Sequence, residues 1–376
     1  MSRRSPTASR VDASGDSTSL ADRKRNAGQR LIIGFEQPFV DDDLRRLVRI
    51  VQPAGFILFK RNVLDPLQVR ELNRELSALV DPSAPALITV DQEGGRVQRV
   101  RAPATEWPDA LTVARAGLVP EVSEALAVEL RAMGFNLNLA PVADVHSNPA
   151  NPVIGDRAFA TDPAAAAAEV ARFIHAHHGA GVATCAKHFP GHGDTHLDSH
   201  HDLPAVDAEL RRLETRELVP FAAAVRAGVA SIMTAHVVFP ALDPSLPATL
   251  SPVVIPRLLR KRMGFSGVVF SDDMEMKAVH GRYPVDQQLR LATEATVDVL
   301  LCCRSPSLQL EAFEGLVHLQ ESERAAEHAS ATSAGRVHAL RERFFLGKKP
   351  PPPLSIVGCQ AHRSLAHLAL ARGDDP

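Results

Sequence analysis

The sequence predicts an α/β protein that folds as a single-domain (β/α)8 barrel of the TIM type. Eight short apolar runs alternate with longer helical stretches between residues 30 and 302. Each apolar run is nearly continuous rather than alternating, which is typical of parallel strands buried on both faces. Eight strand–helix repeats in one chain favour a closed barrel, and a doubly wound open sheet is the structural alternative.

The predicted elements follow one another in a regular order along the chain. The strand candidates are residues 30–35, 55–59, 86–91, 136–140, 182–187, 231–235, 267–271 and 297–302. The main helix candidates are residues 41–51, 66–79, 122–133, 163–178, 207–227 and 284–294. In a (β/α)8 barrel the chemistry is built at the carboxyl ends of the strands. Polar residues directly follow five of the predicted strands, namely Asp91, Asp144, Lys187 with His188, His236, and Asp272 with Asp273.

The composition excludes several classes of partner. The 376 residues are 45% hydrophobic and 23% charged, which is an ordinary balance for a globular chain. The formal net charge of -2 gives no broad attraction to nucleic acid or to an anionic membrane surface. No apolar run approaches the roughly 20 residues that a transmembrane helix needs. We therefore expect neither nucleic acid nor membrane as a partner.

The chain is expected to contain three regions. Residues 1–27 are rich in Ser, Arg and Asp and are predicted to be a disordered N-terminal extension. Residues 28–346 are predicted to form the barrel. Residues 347–376 are predicted to be a Pro-rich linker followed by a short amphipathic helix near residues 359–371. Because no apolar segment follows Arg3 and Arg4, we expect no export signal and a cytoplasmic protein.

The most unusual segment is the loop at residues 187–204, which contains five histidines, three aspartates and two glycines. Loops with so many polar groups are rarely structural, because each group needs a partner. One interpretation is a metal site, since His and Asp at short spacings can chelate zinc. The other is an acid/base pair, Asp198 and His200, which are two residues apart, so that an extended backbone would put both side chains on one side. The carboxylate would then favour the protonated imidazole.

Asp272 ends the seventh predicted strand and is followed directly by Asp273. A carboxylate at the end of a buried strand is costly unless it is paired or used in chemistry. We therefore interpret Asp272 as a functional residue. For Asp273 we favour a structural role as the N-cap of the following helix.

A third cluster is predicted to bind substrate. Gly94 and Gly95 allow the backbone to turn sharply beneath a ligand. Asp91 can accept hydrogen bonds from sugar hydroxyls, and Arg99 can donate to them. Arg157, in the segment that follows the fourth predicted strand, is a further candidate donor.

For four polar residues near these clusters, both a role in the site and a purely structural role stay open. Glu93 and Arg96 are either site residues or members of a surface salt bridge. Asp144 is favoured as a residue that stabilises the barrel rim. His236 belongs either to the rim or to the site.

Taken together, these motifs resemble the family-3 glycoside hydrolases and, within them, the bacterial β-N-acetylhexosaminidases of the NagZ type. Residues 187–195, with Asp198 and His200 following, are similar to the signature of that subgroup. The related β-glucosidases share only the start of this segment. Residues 271–274 are similar to the nucleophile motif of the family, and the resemblance covers about residues 30–345.

The resemblance implies a retaining β-N-acetylglucosaminidase that needs no metal and no cofactor. Asp272 would be the nucleophile, and His200 would be the acid/base with Asp198 as its partner. The implied substrate-binding residues are Asp91, Arg99, Arg157, Lys187 and His188.

The implied substrate is a small carbohydrate, the GlcNAc-1,6-anhydroMurNAc peptides that arise during peptidoglycan recycling. Its terminal GlcNAc would be released in the cytoplasm, and we expect the enzyme to be a monomer. Two alternatives share the barrel: a metal-dependent hydrolase and a β-glucosidase of the same family.

Overall fold

The computed structural model describes residues 18–195, 203–347 and 350–373. Its centre is a closed barrel of eight parallel strands, which confirms the predicted fold class. In chain order the strands are β1 (Leu31–Ile33), β2 (Gly55–Leu58), β3 (Leu87–Val90), β4 (Leu137–Asn138), β5 (Ala183–Phe189), β6 (Ser231–Thr234), β7 (Val268–Asp273) and β8 (Val299–Cys302). Each strand pairs in parallel with the next, and β8 pairs with β1 to close the barrel.

Two apolar layers explain why the strand sequences are almost continuously apolar. Alternate strand residues point into the barrel, where Ile57, Leu137 and Phe270 belong to one buried cluster. The remaining strand residues face the helices and join a second, larger cluster. Leu340 and Phe344, from the last long helix of the barrel, pack into the inner cluster.

The six main helix candidates agree with observed helices to within a few residues, apart from the interruption described below, and the structure adds further helices that were not predicted. In chain order the observed helices are α1 (Leu20–Gly28), α2 (Asp42–Val51), α3 (Pro66–Ala78), α4 (Ala110–Arg115), α5 (Val119–Ala132), α6 (Pro163–Gly179), α7 (Leu210–Arg212), α8 (Leu218–Arg226), α9 (Lys277–His280), α10 (Val285–Glu294), α11 (Pro306–Ser322), α12 (Arg324–Phe344) and α13 (Gln360–Gly373). Several begin at a side chain that accepts a backbone N–H of the first turn, as Asp41, Asp65 and Asp162 do. Among the described helices, none is long and apolar enough to cross a membrane.

One predicted helix differs in its interior. The segment predicted at residues 207–227 is α7 and α8, joined by π-helical turns at Leu213–Glu217. A second π-helical segment, Val254–Arg262, connects β6 to β7 together with a short strand pair.

The N-terminal boundary predicted at residue 27 is wrong for its last part. Residues 20–27 belong to α1, which begins at the N-cap Ser19. Ala27 is fully buried, and Arg23 donates to Glu327 of α12 at 2.9 Å. The segment was missed because α1 is mostly polar and packs through few apolar side chains. Residues 1–17 lie outside the described residues.

At the N-terminal end of β8, a buried aspartate joins three elements. Asp298 accepts hydrogen bonds from the backbone N–H of Val269 at 2.8 Å and from Ser333 at 3.0 Å. It also forms ion pairs with Arg260 and Arg336, and its own side chain is 0% exposed. A buried carboxylate with this many donors is strongly tied to its partners.

Replacing Asp298 by Ala is expected to lower the free energy of unfolding by about 3–5 kcal/mol, because two arginines lose a buried partner. Urea-induced unfolding followed by circular dichroism measures the loss. Glu71→Ala is the control, since it removes only the exposed pair with Arg74, and it should cost less than about 0.5 kcal/mol. Equal losses for the two variants would contradict the assignment.

Candidate functional site

A pocket with a volume of about 300 Å³ opens at the carboxyl ends of the strands. Its apolar wall is formed by Ile57, Phe59, Leu139, Met233, Met276 and Leu301. Its polar wall contains Asp91, Glu93, Arg96, Arg99, Arg157, Lys187, His188, His192, Asp272 and Asp273. All five residues predicted to bind substrate, and the predicted nucleophile, therefore line one pocket.

A lattice of three cations and two carboxylates forms one side of this pocket. The Lys187 ammonium lies 2.7 Å from Asp91 Oδ1 and 2.7 Å from Glu93 Oε1. Arg99 donates to the other oxygen of Asp91 at 3.2 Å. Arg157 contacts both oxygens of Glu93, at 2.8 and 2.9 Å. These five residues are called the charge lattice below.

The charge lattice keeps its members ionised. Burial alone would raise the pKa of Asp91 and Glu93, but the neighbouring cations outweigh it. The pKa of Asp91 therefore falls well below its usual range, and that of Glu93 falls to about 2. Burial would lower the pKa of Lys187, but Asp91 and Glu93 raise it above its ordinary value. Asp91, Glu93 and Lys187 thus stay charged over the whole neutral pH range.

Glu93 is the site residue that the sequence left undecided. The surface salt bridge considered for it is wrong, because its side chain is only 4% exposed and holds Arg157 and Lys187 together. For Arg96 the surface salt bridge is correct: it pairs with Asp156 at 3.0 Å, and both side chains are about half exposed.

Asn138 fixes the start of a short antiparallel hairpin, formed by Gln92–Gly94 and Val97–Gln98, which directly follows Asp91 and contains Glu93. Its side-chain amide accepts from the backbone N–H of Gln92 at 3.1 Å and donates to the Gln92 carbonyl at 2.9 Å. The chain leaving β3 is therefore tied to β4, which orients both carboxylates toward Lys187 on β5.

A buried aspartate orients the histidine beside Lys187. Asp144 accepts from His188 Nδ1 at 2.8 Å and from the backbone N–H groups of His188 and His192. Burial would raise the pKa of Asp144, but His188 holds it below the ordinary value. Because the Asp144 carboxylate accepts a hydrogen bond from Nδ1–H, the Nε2 atom of a neutral His188 carries no proton and is a hydrogen-bond acceptor. Asp144 is thus more than a rim residue, since it sets the orientation of a pocket histidine.

Asp272 and Asp273 end β7 at the pocket wall. The backbone N–H of Asp273 donates to Asp272 Oδ1 at 2.8 Å. The side chain of Asp273 accepts from the N–H groups of Glu275 and Cys303. The predicted helix N-cap is therefore wrong, because this carboxylate supports a turn before α9. Burial raises the pKa of Asp273 to about 6.

His236 belongs to the support of β7 rather than to the pocket wall. Its Nδ1 contacts Thr249 Oγ1 at 2.8 Å, and its Nε2 lies 3.0 Å from the Asp273 carbonyl oxygen. The imidazole is fully buried. This contact fixes the backbone of the residue next to Asp272.

Asp198 and His200, the predicted acid/base pair, lie outside the described residues. Before them, the described part of their loop ends at Thr195. The side-chain amide of Asn151 donates to the carbonyl oxygens of His192 and Gly193 and to Thr195 Oγ1. No local sequence pattern marks Asn151 as a site residue, because its partners are about 40 residues away in the chain. Within the described ranges, no group of three His, Cys, Asp or Glu side chains is placed to hold a metal ion.

A family model for the glycosyl hydrolase family 3 N-terminal domain matches residues 28–340. The chain belongs to glycosyl hydrolase family 3. This confirms the resemblance predicted from the loop and the Ser-Asp-Asp-Met motif.

Curated family 3 relatives extend the match. The β-hexosaminidase of Thiobacillus denitrificans is 41% identical over 285 residues, which is 73% of this chain and 78% of that protein. The β-hexosaminidase of Neisseria meningitidis is 38% identical over 272 residues, covering 69% of this chain and 74% of the relative.

Solved structures of family 3 proteins share the architecture. A β-N-acetylglucosaminidase from Paenibacillus superimposes with a TM-score of 0.87 at 37% identity, covering 93% of this chain and 68% of that one. NagZ from Neisseria gonorrhoeae has a TM-score of 0.74 at 28% identity, with coverages of 92% and 98%.

Asp273 gives the stability of the protein a defined pH dependence. Its folded pKa of about 6 lies above the ordinary 3.8, so the folded state binds more protons between these values. Stability contributed by this group is present below pH 4 and is lost as the pH rises through 6. Asp273→Asn should therefore gain stability over the wild type at pH 7, on the order of 1–3 kcal/mol.

Urea unfolding at pH 4 and at pH 7 tests this expectation. The asparagine keeps an oxygen acceptor for the two N–H groups, so the advantage of the variant should shrink toward pH 4. An advantage of the same size at both pH values, or no advantage at either, would contradict the raised pKa.

Proposed function

We propose that the chain is a retaining β-N-acetylhexosaminidase that removes terminal GlcNAc from peptidoglycan-derived muropeptides. The observation that carries the proposal is the position of Asp272, which shares one pocket with the charge lattice at the carboxyl ends of the strands. The β-hexosaminidase and β-N-acetylglucosaminidase names of the family 3 relatives support the choice of sugar.

The charge lattice suits a sugar ring. Vicinal hydroxyls are both donors and acceptors, and they pair well with a carboxylate beside a cation. We assign Asp91, Arg99, Arg157, Lys187 and His188 to substrate binding. Because the described pocket contains one aromatic side chain, Phe59, hydrogen bonds would supply most of the specificity.

The chemical steps follow the double displacement of retaining glycosidases. Asp272 would attack the anomeric carbon and form a covalent glycosyl-enzyme ester, while the bond to the leaving oxygen breaks. The acid/base, which we assign to His200 with Asp198 as its partner, would protonate that oxygen. The same imidazole would then take a proton from water, which attacks the anomeric carbon, breaks the bond between that carbon and the Asp272 oxygen, and releases the free carboxylate. No metal and no cofactor enters these steps.

The proposed physiological substrate is GlcNAc-1,6-anhydroMurNAc with its attached peptide. The same proposal includes a cytoplasmic location, because such recycled fragments are processed inside the cell. We also propose that the enzyme acts as a monomer.

Hydrolysis of a chromogenic β-N-acetylglucosaminide, compared with the matching β-glucoside and with added chelator, tests the activity. We expect the acetamido sugar to be preferred and the chelator to have no effect. A preference for the glucoside would point to a β-glucosidase, and inactivation by chelator would point to a metal-dependent hydrolase.

The assignment of Asp272 is tested with the same substrate. Asp272→Asn should lower kcat by at least about a thousandfold, because the covalent step loses its nucleophile. For the wild type, proton NMR should show the β-anomer of the released sugar before mutarotation. Substantial turnover by the variant, or initial release of the α-anomer, would overturn the retaining mechanism.

Glu93→Gln is expected to raise KM and to lower kcat/KM by about tenfold to a hundredfold, because Arg157 and Lys187 lose a shared counter-charge and shift. Steady-state kinetics with the chromogenic substrate measures this effect. Asp156→Asn is the matched control, since it removes the counter-charge of the exposed Arg96 in the same region. If both variants behave alike, Glu93 does not position the substrate residues.

A further inference from the structure

The C-terminal segment, residues 350–373, packs beside the loop that carries the substrate residues. The match to the family model ends at residue 340, so this segment lies outside the matched residues. Its helix α13 rests on α4 and α5 and buries Ala366 and Ala369. The loop in question, residues 91–109, is called the substrate loop below.

Glu129 of α5 joins the two segments through one buried carboxylate. It accepts from Thr105 of the substrate loop through Oγ1 at 2.6 Å and through the backbone N–H at 3.2 Å. It also accepts from the C-terminal segment, through the N–H of Gly358 at 2.9 Å and His362 Nδ1 at 2.8 Å. Glu129 is only 3% exposed, and a buried carboxylate needs hydrogen-bond donors. The substrate loop and the C-terminal segment supply these donors together, so the carboxylate links the two segments.

A continuous hydrogen-bond path runs from Thr105 to the substrate residues. The Thr105 carbonyl accepts from Gln98 Nε2 at 2.8 Å. Gln98 and Gln92 both donate to the Val100 carbonyl at 2.8 Å. The Gln92 side-chain oxygen accepts from the backbone N–H of Arg99 at 2.9 Å. The position of Arg99, and hence its contact with Asp91, is tied to this path.

Two packing contacts reinforce the path. The ring centroids of His362 and Trp107 are 5.9 Å apart. The Trp107 carbonyl in turn accepts a hydrogen bond from the backbone N–H of Gly95 at 2.8 Å. Gly358 lies so close to the Pro103 carbonyl that a Cβ at this position would stand 2.0 Å from the oxygen. The C-terminal segment therefore contacts the substrate loop at Pro103 and Trp107, and it is linked to Thr105 through Glu129. These three loop residues are not among the described residues that line the pocket.

We propose that the C-terminal segment positions the substrate loop for sugar binding, with His362 and Glu129 as the positioning residues. His362 acts through Glu129 and Thr105 on Arg99, and it does not contact the substrate. This inference rests on the proposed glycosidase function, because its effect is read as substrate affinity. The physical coupling itself can be measured without any activity.

The test compares His362→Ala with His362→Asn and His367→Ala. Asparagine retains an N–H donor at nearly the position of Nδ1, whereas His367 lies on the exposed face of the same helix. For His362→Ala we expect KM for the chromogenic β-N-acetylglucosaminide to rise about three- to tenfold, with kcat within about twofold. We expect His362→Asn to recover most of the affinity and His367→Ala to match the wild type.

Hydrogen exchange supplies the second measurement. In His362→Ala the amides of residues 92–100 should exchange faster than in the wild type, while the amides of β5 and β7 should not change. Unchanged exchange in residues 92–100 would overturn the coupling, whatever the enzyme cleaves. Faster exchange with an unchanged KM would reduce the segment to a structural support. If the wild type cleaves no β-N-acetylglucosaminide, the proposed function fails, and the exchange data still decide the coupling.

Discussion

The buried ammonium of Lys187 is the charge around which the pocket is arranged. Removing an ammonium group from water costs several kcal/mol unless other charges replace its hydration. Asp91 and Glu93 do so at 2.7 Å each, and their remaining oxygens are taken by Arg99 and Arg157. The hairpin after β3, the turn before α6 and the end of β5 are therefore held in one arrangement. Displacing any member leaves a buried charge without its partner.

The end of β7 is organised at the expense of stability. Asp273 is held in a buried position where ionisation is unfavourable, and its pKa rises to about 6. His236 and the N–H groups around it fix this strand end, which carries Asp272 into the pocket. Proteins commonly tolerate such costs at functional sites, because folding energy from the rest of the domain offsets them. Here the burial of apolar side chains in the barrel interior supplies the stabilising free energy that offsets the cost at Asp273.

The sequence predicted the barrel and the residues at its strand ends, because burial on both faces leaves continuous apolar runs and (β/α)8 geometry locates the chemistry. Asp91, Lys187 and Asp272 followed from this argument. Glu93 did not, since its partner Arg157 is 64 positions away and local sequence carries no sign of such pairing. The coupling of Glu129 to His362 spans 233 positions and was invisible for the same reason. The roles proposed for Asp198 and His200 rest on their spacing in the sequence and on the family resemblance.

Trp107 is the single tryptophan of the chain, and its side chain is almost entirely buried. Its indole lies against His362, at the junction between the substrate loop and the C-terminal helix, and it is not among the described residues that line the pocket. Tryptophan fluorescence, excited selectively over that of Tyr283, therefore reports on this junction. A change in emission when sugar is added would be a signal transmitted through the loop rather than direct contact with the ligand. Trp107 is thus a natural fluorescent probe for movement between the substrate loop and the C-terminal helix.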